Sequence, residues 1–171
     1  MATDLLPAYL AVGPDELKRN KMVERLKKRL DESFSAFNLD EFTGPTVDID
    51  VFVSALQTMP MGDSRRIVIL READKLSKAA SEVVILYLEN PNPTTTLLLT
   101  AQTLARTTRL YKAVAKIGAK SVVLCASMKP RELAPYVQKL AASYGLVIDF
   151  SAAQELVDRV GDSTTMLDAQ V

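Results

Sequence analysis

Four residues near the amino terminus, Gly13, Lys18, Arg19 and Asn20, stand at the spacing of a phosphate-binding loop. In the pattern GxxxxGK[ST], glycines let backbone N–H groups wrap a phosphate, a lysine reaches its outer oxygens and a hydroxyl holds Mg²⁺. Set against that pattern without a gap, Gly13 takes the first glycine, Lys18 the second, Arg19 the lysine and Asn20 the Ser/Thr. Only the first position holds. A long side chain at 18 resists close backbone approach, a planar guanidinium replaces a compact ammonium, and an amide is a poor partner for Mg²⁺. On this stretch alone the reading is an ordinary strand, turn and helix; the alternative is a nucleotide fold that has stopped using nucleotide. The chain has no His and one Cys, Cys125. Zinc sites and Cys-His or Ser-His catalysis are therefore excluded, and carboxylates remain as the metal ligands to consider. Cys125 lies in SVVLCA and reads as a buried small hydrophobe.

The elements that would position these residues alternate along the chain. Tyr9 to Val12 reads as a strand stopped by Gly13-Pro14. A helix follows, with Asp15 and Glu16 at its positive end and Leu17, Met22, Val23, Leu26 and Leu30 on one face. Phe34 to Phe42 is expected as a second strand, Val47 to Leu56 as a short helix, and Arg66 to Leu70 as a strand buried on both faces. Lys75 to Glu89 reads as a helix ended by Asn-Pro-Asn-Pro, Thr95 to Thr100 as a strand, Arg106 to Ile117 as a helix and Ser121 to Cys125 as a fifth strand. This alternation predicts an α/β fold with a parallel sheet and right-handed crossovers. From Lys129 the pattern turns helical, over Leu133 to Tyr144, Ser151 to Val160 and Thr164 to the end. Ser151 is the expected N-cap of the middle helix, with Gln154 completing a capping box. Two domains are expected, 1–128 and 129–171, the second incomplete.

Composition bounds the function. The 171 residues are 48% hydrophobic and 25% charged with zero net charge, an ordinary globular balance with no overall basic surface. Lys18, Arg19, Lys21, Arg25, Lys27, Lys28 and Arg29 nevertheless crowd one helix. That face reads as solvated, the alternative being a contact with DNA or another anionic surface. No apolar run approaches the ~18 residues of a membrane helix, and the N-terminus lacks a signal peptide's pattern, so a cytoplasmic address is expected.

Five segments carry a resemblance. They are VILREADKLSKAA (68–80), YLENPNPTTTLLLTA (87–101), RLYKAVAKIGAKSVVLCA (109–126), KPRELAPYVQKLAASYGL (129–146) and AAQELVDRVGD (152–162). In this order they resemble the delta-subunit family of bacterial DNA polymerase III, in the clamp-loader branch of the AAA+ ATPases. The resemblance implies an AAA+-like P-loop fold with a five-stranded parallel sheet, followed by a small helical lid domain. It also implies a degenerate nucleotide site at Gly13, Lys18, Arg19, Asn20, Arg71 and Glu72. Where a Walker B strand ends in Asp-Glu, this strand ends in Arg71-Glu72, placing a cation where Mg²⁺ would be held. Thr100 falls at the position that senses the γ-phosphate in other members, Thr164 and Thr165 replace the lid arginine, and the Ser-Arg-Cys motif is absent.

The function so implied is binding and opening of the ring-shaped sliding clamp (the beta subunit) in DNA replication, without hydrolysing ATP. The chain would be a non-catalytic subunit of the DNA polymerase III holoenzyme, with no cofactor and no metal. The family carries its clamp contact before the third strand, which assigns it here to Met59, Pro60, Met61 and Gly62. Met61 and Gly62 stand where a Leu-Phe or Phe-Phe pair is common; a thioether fills pockets well, but Gly62 offers no side chain. From the residues alone, Met59 and Met61 fit core packing and an interface equally. The implied partners are the clamp, the motor and delta-prime subunits, and primer-template DNA through the complex, with no membrane. The family's collar domain is missing, so an N-terminal fragment is expected. Two alternatives remain. One is a divergent P-loop NTPase using Arg19 with Glu72 or Asp74; the other is a DNA-binding regulator using the helix from Lys18 to Arg29.

Overall fold

The computed structural model describes residues 5–171. The first four residues, included in the expected 1–128 domain and in the reading of the N-terminus, lie outside the described residues. Five strands form one sheet: β1 (Ala8–Val12), β2 (Leu39–Thr43), β3 (Arg66–Arg71), β4 (Thr95–Ala101) and β5 (Val122–Leu124). Their order is β2-β3-β4-β1-β5 and every pairing is parallel, with β4 at the centre and Leu10 of β1 opposite both Leu99 and Val122. The helices between strands are α1 (Glu16–Lys27), α2 (Ser35–Asn38), α3 (Ile49–Gln57), α4 (Lys78–Glu89) and α5 (Arg109–Ile117). Three more follow, α6 (Pro130–Ser143), α7 (Phe150–Val160) and α8 (Thr164–Gln170).

The apolar runs of the strands exist because both sheet faces are covered. Val68 and Leu70 join Leu97 and Leu99 in a core closed by Phe52 and Leu56 of α3, Val84 and Leu88 of α4, and Leu110 and Val114 of α5. Ile67 and Ile69, pointing the other way, pack with Leu98 and Cys125 against Val23 and Leu26 of α1. Cys125 is buried, as its apolar setting predicts, and burial raises its thiol pKa. Helices α6 to α8 close around a separate core that includes Leu133, Val137, Val157 and Leu167.

Element ends depart from the sequence reading where a side chain supplies a better cap. The second strand begins at Leu39, opposite Ile67, instead of Phe34. Residues 35–38 form one helical turn, and the buried Asn38 spends its amide on the backbone of Met61, outside the ladder. Helix α4 starts at Lys78 because the Ser77 hydroxyl accepts from Ala80 N at 3.1 Å, leaving 73–75 as a separate 3₁₀ turn. Thr108 likewise starts α5 at Arg109. Asp149, not Ser151, caps α7, its carboxylate accepting from Ala152 N at 2.7 Å; Gln154 instead donates to Asp158.

Leu98 is fully buried between the sheet and α1, whereas Val51 of α3 is 55% exposed. Leu98→Ala is expected to cost about 2–5 kcal/mol, and Val51→Ala less than about 0.5 kcal/mol, read from urea denaturation midpoints.

Candidate functional site

The connection from β1 to α1 is three residues long, Gly13, Pro14 and Asp15, so Lys18, Arg19 and Asn20 lie within the first two turns of the helix. The eight positions that align with a phosphate-binding loop therefore do not form one in space. Gly13, the one position that matches the pattern, has a packing reason. Its φ is 145°, and a Cβ there would stand 2.2 Å from the Cys125 carbonyl oxygen. Glycine is required for the approach of β1 to the end of β5.

Asp15 occupies the head of α1. Its side chain is buried, and Oδ1 accepts from Lys18 N at 3.0 Å and from the Thr164 hydroxyl at 2.9 Å. The Lys18 ammonium lies 3.2 Å from Oδ2 and donates to the Ala126 carbonyl at 2.7 Å. The anion at this helix N-terminus is thus the protein's own, where the dipole favours negative charge. The Arg19 guanidinium turns back and donates to the Gly13 carbonyl. Thr164, at the position of the missing lid arginine, is part of the same cluster.

Beside it is a cavity of about 210 Å³ lined by residues including Arg19, Asn20, Arg71, Glu72 and Thr100. Here the fold joins two positions far apart in sequence. Arg71 donates through Nη1 to Asn20 Oδ1 at 3.1 Å and through Nε to Glu41 Oε2 at 3.2 Å. Glu41 also meets the Lys27 ammonium at 2.5 Å. Partial burial would raise the Glu41 pKa, but the hydrogen bonds and charges of Lys27 and Arg71 outweigh it and hold the carboxyl below its ordinary value. Glu72 sits in the left-handed region (φ 54°, ψ 45°), its carboxylate 2.9 Å from the Lys75 ammonium. Asp74 Oδ1 accepts from Gln102 N at 3.2 Å. The carboxylates that a divergent NTPase would need are both engaged, and no cluster of three potential metal ligands occurs among the described residues. These residues do not fit a magnesium nucleotide: a guanidinium already holds Asn20 where the metal's partner would stand.

At the far end of the sheet the 58–66 segment leaves α3 and enters β3. Three tethers fix it to the stretch after α1. Asn38 donates to the Met61 carbonyl and accepts from Met61 N, both at 2.8 Å; Asp63 accepts from Asp31 N at 3.0 Å; and the Phe34 ring covers Gly62. The Asp31 N–H is the main reason the Asp63 carboxyl titrates below its ordinary range. The buried Arg66 guanidinium closes the base through the Phe37 carbonyl at 2.7 Å and the Asp40 carboxylate. Met59 and Met61 are 67% and 58% exposed, so neither packs beneath the loop. Gly62 has φ 66°, and a Cβ on it would meet the Phe34 ring at 2.5 Å. Sequence reasoning missed Phe34 and Asn38 as supports of this segment, having placed both in a strand.

The basic face of α1 is partly spent internally. Lys18, Arg19 and Lys27 are held as described, and the Lys21 ammonium lies 4.0 Å from Asp168 and 5.9 Å from the Tyr136 ring centroid. Arg25, Lys28 and Arg29 remain on the exposed side.

Two measurements check this geometry. Asp15→Ala should cost about 1–3 kcal/mol and Thr164→Val less, with a double variant less destabilised than the sum because the two share one bond. Glu41 has a lower pKa folded than unfolded, so its network stabilises fully above the ordinary value of 4.5 and is lost as pH falls through the folded value. The urea midpoint of Glu41→Gln should accordingly vary less than wild type between about pH 6 and pH 3.

The family described as DNA polymerase III, delta subunit, matches residues 9–126, more than half of the chain. No curated protein sequence matches it. Among solved structures, the Bacillus subtilis DNA clamp loader delta protein superposes with a TM-score of 0.73 at 22% identity, over 96% of this chain and 51% of that one. The Thermotoga maritima RuvB Holliday junction branch migration motor gives 0.62 at 16% identity, over 95% and 52%. A DNA polymerase III gamma subunit-related protein of Thermotoga maritima gives 0.50 at 18%, over 90% and 53%. This chain spans about half the length of these structures, and no helix among its described residues is long and apolar enough to cross a membrane. The family match spans the sheet from Tyr9 onward together with the clusters around Asp15 and Arg71 and the segment before β3, and the chain belongs to the DNA polymerase III delta-subunit family.

Proposed function

We propose that this chain is the clamp-binding, nucleotide-silent part of a clamp loader acting in DNA replication in the cytoplasm, with a sheet domain (1–128) that carries the contact and a helical lid (129–171). The observation that carries the reading is the pair of exposed thioethers, Met59 and Met61, on a segment tied down at Met61, Gly62 and Asp63. A pre-fixed backbone spares the ordering cost of binding, and flexible apolar side chains fill a pocket on a partner. Binding drives the clamp open only by favouring its open state over its closed one. Pro60 stiffens the approach to Met61, and Gly62 contributes shape instead of contact area. Nucleotide silence is supported by Arg71, whose guanidinium binds Asn20 and Glu41. The remaining loader subunits, motor and delta-prime, would supply ATP chemistry and expose the segment.

Titration of the chain with a bacterial sliding clamp tests this. Binding is expected to be insensitive to ATP and Mg²⁺, and to weaken by roughly 1–3 kcal/mol in Met61→Ala. Full binding in Met61→Ala and Met59→Ala together would remove the segment from the contact. Gly62→Phe should not restore a missing anchor. The left-handed backbone and the Phe34 ring oppose it, at a cost of about 1–3 kcal/mol in folding stability.

A further inference from the structure

The zero net charge conceals a second asymmetry. Between Glu89 and Glu132 the sequence contains seven Lys and Arg residues and no Asp or Glu. Arg109, Lys112 and Lys116 share one face of α5 at intervals of three and four, Arg106 and Lys120 lie in the turns at its two ends, and all five are exposed. The opposite face is fixed by Leu110 and Val114 in the sheet core, so the helix cannot turn its cations inward. Only Arg109 has an acidic partner among the described residues, Glu82 of α4 at 2.5 Å. The contrast with α1, on the other face of the sheet, is direct. There Lys18, Lys21 and Lys27 each lie within 4.0 Å of a carboxylate.

We propose that the α5 face is a duplex DNA-binding surface that tracks the phosphate backbone. Nine helical residues span about 14 Å, and the flanking Arg106 and Lys120 extend the row, enough to face several consecutive phosphates at ~3.4 Å per strand. The chemistry favours nucleic acid over an acidic protein. A protein interface needs an apolar centre, whereas DNA interfaces are strongly cationic and polar, and no large apolar side chain is exposed between residues 103 and 121. A row of cations along one exposed face meets phosphates first, so recognition is of the backbone and independent of sequence. The surface is separate from the 58–66 segment and stands or falls independently of clamp binding.

Fluorescence anisotropy with a labelled duplex of about 20 base pairs tests it, between 50 and 200 mM salt. The intact chain is compared with Lys112→Gln/Lys116→Gln/Lys120→Gln and with Arg25→Gln/Lys28→Gln/Arg29→Gln. Glutamine keeps helix propensity, and circular dichroism verifies folding. The α5 variant is expected to bind roughly tenfold or more weakly at low salt, with a log–log salt slope shallower by about 2–3; the α1 variant should bind as wild type. Absence of binding by the intact chain at 50 mM salt would overturn the proposal. So would an equal loss in the α1 variant, or displacement of DNA by a polyglutamate peptide at matched charge concentration, which would assign the face to an acidic protein.

Discussion

A buried carboxylate must be fully partnered or it destabilises the fold around it, and Asp15 imposes that demand at the junction of loop, helix and lid. Its Oδ1 accepts from Lys18 N and from the hydroxyl of Thr164, 149 positions away, while Oδ2, which has no hydrogen-bond partner, is offset only by the Lys18 ammonium 3.2 Å away. Once an internal anion sits at the head of α1, the electrostatic place that a phosphate takes at such a helix end is filled. The neighbouring groups follow suit: Lys18 reaches Ala126, Arg19 folds back on Gly13, and Asn20 takes Arg71 as its partner. The charges around Asp15 and Arg71 thus close on one another.

The segment before β3 obeys the same rule with the opposite result. Asn38 and Arg66 are buried polar groups; Asn38 bonds the backbone of Met61, and the Arg66 guanidinium donates to the Phe37 carbonyl and the Asp40 carboxylate, leaving only its Nε without a partner. These bonds hold the main chain in place and leave the side chains of Met59 and Met61 facing solvent. A tethered backbone with exposed apolar tips suits a surface that enters a partner's pocket.

Charge is handled differently on the two sheet faces. On α1 much of the positive charge is turned toward Asp15, Glu41 and Asp168, where it ties the helix to β2 and α8. On α5 the apolar stripe is clamped into the core, and apart from Arg109, which meets Glu82, its cations face solvent. Lys and Arg therefore serve structure on one helix and stay largely unpaired on the other.

How much of this was legible beforehand depends on the range of the forces involved. The sequence by itself determined the five strands, their parallel α/β class and the helical character after Lys129. Two-faced apolar runs, helical spacing and the Gly-Pro and Asn-Pro breaks are local signals, and in the β3 and β4 segments they agree with burial on both faces. It also showed that the phosphate-loop pattern was lost at Lys18, Arg19 and Asn20. Only the tertiary structure decided that Gly13 is kept for its approach to Cys125, that β2 starts at Leu39, that Arg71 meets Asn20, and that Phe34 screens Gly62. Each of those outcomes joins residues 28 to 112 positions apart. No local propensity encodes such a pairing, because it is set by which backbone groups remain unsatisfied once the sheet has formed.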